Sequence, residues 1–142
     1  MKRYLQKMEK MDKEKWKNRL LNWGNALHLC EQKQEELNRL MALKNENEVL
    51  LKAYGKNEAL QGIAQCFQRE IQRIEREISE IIEDKQSIDR CVQWLPIEER
   101  EFLELRFVKG YSYDNISIKT HLSRSSCFRL QDRIFQKLEK SS

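Results

Sequence analysis

From Leu60 to Leu95 the apolar residues recur in steps of four and three: Leu60, Ala64, Phe67, Ile71, Ile74, Ile78, Ile81, Ile88, Val92 and Leu95, with Lys85 the one polar member. A strand repeats every two residues and would scatter this set over both faces; an α-helix gathers it into one stripe. A seam sustained for about five heptads specifies a long helix packed against another in coiled-coil fashion. The helix is expected over residues 57–94, and Pro96 stops it.

A second seam lies upstream: Trp16, Leu20, Trp23, Leu27, Cys30, Gln34, Leu37 and Met41 follow the same steps. It predicts a helix over residues 12–43 with Gly24 inside it. Between the two helices, "KNENEVLLKAYGKN" carries Gly55 and several asparagines and reads as a connection at about residues 44–57. The simplest arrangement is a long antiparallel helical hairpin with Trp16, Leu20, Trp23 and Leu27 on one side of the seam and Phe67, Ile71, Ile74, Ile78, Ile81 and Ile88 on the other. A hairpin this thin buries little, so a homo-oligomer is expected, a dimer before other states.

Composition agrees with an all-α fold. Charged residues are 35% of the chain, and glycine and proline together occupy five positions. No apolar run approaches the roughly 20 residues that span a bilayer, and the basic N-terminus lacks the apolar core of a signal peptide, so a soluble, cytoplasmic protein with no membrane partner is expected. Cys30, Cys66, Cys91 and Cys127 are scattered, without metal-ligand spacing, and read as small hydrophobes; no metal or other cofactor is expected. His28 and His121 stand in different segments, and there is no glycine-rich phosphate loop or nucleophile elbow. The chain is not expected to be an enzyme.

The charge is unevenly placed. Residues 1–20 hold eight basic and three acidic groups, residues 21–104 eleven and seventeen, and residues 105–142 eight and three. The net values are thus +5, −6 and +5. Either basic end could meet a polyanion; for the first residues alone, a solvated tail is the simpler expectation.

From Leu95 onward the periodicity shortens. "LPIEEREFLELRFV" has proline at a helix start, acidic residues in its first turn, and Ile97, Phe102, Leu105 and Phe107 or Val108 facing inward. Gly110 reverses the chain and Ser112 caps the next short helix, "YDNISIKT". After "HL", Ser123 caps a third helix whose inner face is Cys127, Leu130 or Gln131, Ile134 and Leu138. Two short helices joined by a tight turn, the second opened by "SRSS", form a helix-turn-helix pattern. In that motif the first turn of the second helix enters the DNA major groove. Small polar and basic residues fit there, and arginine matches guanine's two acceptors. Ser123, Arg124, Ser125, Ser126, Phe128, Arg129, Arg133 and Lys137 are the expected DNA-binding residues, the last three basic residues forming a stripe for phosphates.

The run from Leu95-Pro96 through Glu99-Arg100, Leu103-x-Leu105-Arg106-Phe107, Gly110-x-Ser112, Ile116 and Ser123 to Leu138 resembles the helix-turn-helix of the last, promoter-reading region of bacterial sigma factors. With a helical N-terminal half before it, the chain is similar to phage and mobile-element regulators of the RinA and ArpU type. The resemblance implies two regions, a hairpin and oligomerisation region over 1–94 and a DNA-binding module over 95–142. It also implies a sequence-specific regulator, an activator of late or packaging genes in a bacterial host cell, with double-stranded DNA as partner and RNA polymerase as a further candidate. Two departures stand out: Asn115-Ile116-Ser117 where Glu-Ile-Ala is usual, and His121 where the turn usually has glycine. The alternatives are a small terminase-like packaging subunit, and a coiled-coil interaction module whose helix-turn-helix no longer binds DNA.

Overall fold

The structure is a computed structural model that describes residues 2–55 and 57–141, with side chains from Asp12 onward. The fold is all-α: α1 Lys2–Gly24, α2 Ala26–Tyr54, α3 Glu58–Val92, α4 Ile97–Leu103 running into a π-helical turn Glu104–Val108, α5 Tyr113–Thr120 and α6 Arg124–Ser141. No helix among the described residues is long and apolar enough to cross a membrane. The packing forms two compact units, Met1–Ala26 with Asp84–Ser142, and Leu27–Glu83.

The unit Leu27–Glu83 is a two-helix antiparallel hairpin. Lys33 pairs with Glu77 at 2.7 Å, Lys44 donates to Gln68 at 2.9 Å, and Asn47 donates to the Leu60 carbonyl at 3.2 Å. One partner number rises as the other falls, which fixes the antiparallel register. On α3 the expected residues Phe67, Ile71, Ile74, Ile78 and Ile81 do line the seam, with Ile71 and Ile74 buried. Opposite them stand Cys30, Lys33, Leu37, Leu40, Lys44, Asn47 and Leu51, again in steps of three and four.

Two expectations are corrected here. Residues 44–54 continue α2, which ends at Tyr54 beside Gly55 with its positive φ of 68°, and α3 begins at Glu58. Asn47, read as part of a loop, is a buried seam residue with its amide satisfied. The first seam also changes register. Leu27 is 75% exposed and Met41 points outward, while Ala26 and Leu40 take the inner positions. The cause is a break at Asn25, whose backbone and side-chain amides both donate to the Leu21 carbonyl and close α1. Cys30 and Leu37 keep their expected inner places, while Leu27, Gln34 and Met41 give way to Ala26, Lys33 and Leu40, each one residue earlier.

The first unit gathers one core from five helices: Trp16 and Leu20 of α1, Ile88 of α3, Phe102 and Leu103 of α4, Ile116 of α5, and Cys127, Ile134 and Leu138 of α6. The packing therefore divides the chain elsewhere than at the expected boundary of residues 94 and 95. Two tryptophans show why α1 belongs with the C-terminal elements. The Trp16 indole donates to Glu139, and the Trp23 indole donates to Asp89 at 2.7 Å. Arg19 adds an ion pair to Asp84 at 2.7 Å. Gly24 lets the backbones meet: a Cβ on it would lie 2.0 Å from the Phe107 carbonyl oxygen. Burial raises the Asp89 pKa, but hydrogen bonds from Lys85 and Trp23 outweigh that and hold its carboxyl below the ordinary aspartate range.

In α4 the expected inward set holds for Phe102, Leu105 and Phe107 but not for Ile97, which is 64% exposed. Ile97 occupies the first turn, two residues before the buried Glu99 and hence on the opposite side of the helix. The π turn closes through a bond from Lys109 N to Glu104 O at 2.9 Å. Its extra residue per turn leaves Phe107 in the core and Val108 outside.

Candidate nucleic-acid interface

The interface is built on α5, the turn after it, and α6. Gly110, with φ 74°, ends the preceding segment, and the Ser112 hydroxyl accepts from the Asn115 amide at 3.2 Å to start α5. Both roles match the sequence reading. His121 occupies the left-handed region at φ 61°. A Cβ disfavours that conformation, yet the turn is tied across: the Ser117 hydroxyl donates to the Leu122 carbonyl. So one departure from the sigma-like pattern, Ser117, braces the turn that contains the other.

Ser123 then caps α6. Its hydroxyl accepts from the Ser126 amide at 3.1 Å, and its carbonyl accepts from the Cys127 amide at 3.0 Å. Behind the cap, Cys127, Leu130, Gln131, Ile134, Phe135 and Leu138 are buried, so α6 rests on the core along its whole length. Burial in apolar surroundings pushes the Cys127 thiol up, which keeps it a neutral packing group. Gln131 is satisfied by the Tyr113 hydroxyl, which donates to it at 2.8 Å and links α5 to α6.

On the outer side, Ser123, Arg124, Ser125 and Arg129 are exposed together at the N-terminal end of α6. Ser126 is half-buried, and its hydroxyl accepts from Arg129 at 3.3 Å. Arg124 lies 3.9 Å from Asp114, a solvated pair worth less than about 1 kcal/mol and easily exchanged for a phosphate or base. Phe128 stacks on Tyr113 with ring centroids 4.4 Å apart. It is thus a half-exposed wall of the interface, packed from behind and open in front.

The two remaining residues sit differently. Both carboxylate oxygens of Glu99 accept from Lys137, at 2.7 and 2.9 Å, and Arg133 lies 3.3 Å from the same carboxylate. Glu99 is 2% exposed, and a carboxylate that deep must be matched by charge. The stripe expected along Arg129, Arg133 and Lys137 is therefore split: Arg129 faces solvent, Lys137 is held against α4, and the largely exposed Arg133 lies between. Sequence reasoning missed Glu99. Its signal was present, because Leu95, Glu99 and Phe102 fall in steps of four and three, a charged residue at an inner position.

These pieces have the geometry of a helix-turn-helix: a short helix, a tight left-handed turn, and a capped second helix with polar and basic residues leading. Residues 85–138 match the family model for sigma-70, region 4. The match begins one residue after the start of the compact segment at Asp84 and so takes in the end of α3 as well as α4 to α6. No curated protein and no solved structure matches the chain. The region 4-like module is a helix-turn-helix of the DNA-binding type.

Proposed function

We propose that the chain is a sequence-specific transcriptional regulator that reads duplex DNA with α6, a phage-type activator of late or packaging genes acting in the cytoplasm of a bacterial host as an oligomer. It is a binding protein, not an enzyme, and needs no cofactor. The observation that carries the reading is the N-terminal end of α6: Ser123, Arg124, Ser125 and Arg129 stand exposed on a helix whose other side is locked into a core. Arg124 and Arg129 reach base edges or phosphates in the major groove, Ser125 and Ser126 add short hydroxyl contacts, and Phe128 packs against the groove wall. Arg133 lies on the flanking backbone. Lys137 acts chiefly through Glu99, setting how α6 sits on α4.

An oligomer of two copies is supported by the poverty of the hairpin core. Among the described residues Leu37, Ile71 and Ile74 form its buried cluster, while Leu43, Val49, Leu50 and Ile63 remain exposed. Along α3, Ala59, Gly62, Ile63, Cys66 and Phe67 line an apolar groove with Leu40, and a second hairpin is the occupant that would cover it. The exposed Glu98 and Glu101 of α4 are the surface left for RNA polymerase, a step supported by the sigma resemblance alone.

The test is selection from a random duplex pool at physiological salt, followed by titration of the recovered site. A repeated half-site is expected, with Arg124→Ala costing about 1–3 kcal/mol and relaxing one base position. No enrichment over unrelated duplex would sink the reading. A monomer mass by light scattering at micromolar concentration would remove the oligomer from it.

A further inference from the structure

Arg124 opens α6 and is held from two directions. Its Nη1 lies 3.9 Å from Oδ1 of Asp114, and its guanidinium carbon lies 5.8 Å from the centre of the Phe128 ring, within cation–π range. Phe128 stands one turn further along α6, so it shares a face with Arg124. On α5 the facing residues are neighbours in sequence: Tyr113 stacks on Phe128 with centroids 4.4 Å apart, and Asp114 meets Arg124. Two adjacent rungs, one aromatic and one ionic, thus join the first turns of the two helices.

The aromatic rung is anchored. The Tyr113 hydroxyl donates to the buried Gln131 at 2.8 Å. The Arg106 guanidinium sits 4.4 Å over the Tyr113 ring and donates to the Tyr111 carbonyl at 3.1 Å. Phe128 therefore has a fixed place, and it offers Arg124 a fixed surface. The ionic rung is looser, with both partners largely exposed. In solvent such a pair can be given up for a phosphate. Inside a groove water is excluded, and the same carboxylate acts more strongly on the charges around it. Arginine has five donors and guanine's two acceptors use two of them, so Arg124 can face a base while keeping Asp114. The carboxylate also repels phosphate oxygens, which disfavours a guanidinium swung onto the backbone.

We propose that Asp114 is the positioning residue for Arg124: with Phe128 behind it, the carboxylate holds the guanidinium toward a guanine edge and away from the phosphates. The proposal rests on the DNA-binding reading of α6 and adds to it a determinant of specificity that lies on α5 and need touch no base.

The experiment titrates the full chain and the variant Asp114→Asn with the selected duplex and an unrelated duplex across a salt series. A bidentate arginine–guanine pair discriminates by about 5- to 150-fold, and the variant should lose part of this, lowering the specificity ratio about 3- to 10-fold. Its affinity for the unrelated duplex should rise, and log K there should fall more steeply with log salt by about 0.9, the mark of one added phosphate contact. Asp114→Glu should restore the ratio. In an Arg124→Ala background, Asp114→Asn should leave the ratio unchanged, because nothing remains to be positioned. Equal gains for both duplexes in the asparagine variant, with Arg124→Ala alone still lowering the ratio, overturn the proposal and leave the α6 reading standing. A ratio that falls by the same factor with and without Arg124 also overturns it. Failure of the unaltered chain to bind any duplex overturns both.

Discussion

The two compact units solve the problem of burial differently. The unit made of residues 1–26 and 84–142 draws on helices from both ends of the chain and buries Trp16, Leu20, Phe102, Leu103, Ile116, Ile134 and Leu138 in one cluster. The hairpin of residues 27–83 has a single seam with, among the described residues, three buried hydrophobic side chains, and polar members in Lys33, Lys44 and Asn47. A fully buried leucine-sized side chain contributes about 1.5–3 kcal/mol, so the first unit has the means to hold a fixed geometry alone and the second has little to spare. Rigidity is concentrated in the unit that carries the helix-turn-helix. The hairpin is the leaner of the two, with the buried Asn47 satisfied across its seam.

Cutting into that contrast gives the largest effect. Leu20→Ala should destabilise the first unit by about 2–5 kcal/mol. Hydrogen exchange should then show faster opening throughout α4 to α6 and little change in residues 27–83 at fixed protein concentration. Equal loss in both halves would mean that the two units unfold as one. A smaller effect follows from pH. Because Asp89 has its carboxyl held low by Lys85 and Trp23, its contribution to docking α1 is complete above the ordinary aspartate value of about 4 and is lost as pH falls through the depressed one. Acidification below about pH 4 should therefore shift the fluorescence of the unaltered protein, and Asp89→Asn should remove that step; a step that persists would assign it to another carboxylate. The smallest expected change is a gain. His121→Gly relieves a left-handed residue and should stabilise the first unit by about 1 kcal/mol, read as a small rise in its melting temperature with the hairpin unaffected.

What the sequence made legible was local. Heptad spacing identified α3 and its inner residues, and the punctuation of Gly110, Ser112 and Ser123 identified the short helices, because caps and turns are decided by a few neighbouring residues. The C-terminal pattern also carried the sigma-like helix-turn-helix, which the family match supports. The misses were tertiary. Nothing near Gly24 states that a carbonyl 83 positions away will press on it, so the break at Asn25 and the exposure of Leu27 were hidden. The inner position of Glu99 was visible in the steps from Leu95 to Phe102, but its partner was hidden, since Lys137 arrives from another helix. Asn47 was misread because asparagine favours turns locally, while here a seam supplies its partner.

The bond between Trp16 and Glu139 spans 123 residues of chain, and this separation has a consequence during synthesis. At about 5–20 residues per second the ribosome takes several seconds to deliver α6 after α1 has emerged. The hairpin, whose contacts are closer in sequence, can close in that interval, whereas the core around Leu20 cannot form until Leu138 is available. Loop closure over such a distance is slow relative to local pairing. The helix-turn-helix is thus made and assembled after the hairpin, and a chain cut short before α6 would pair its helices without completing that module.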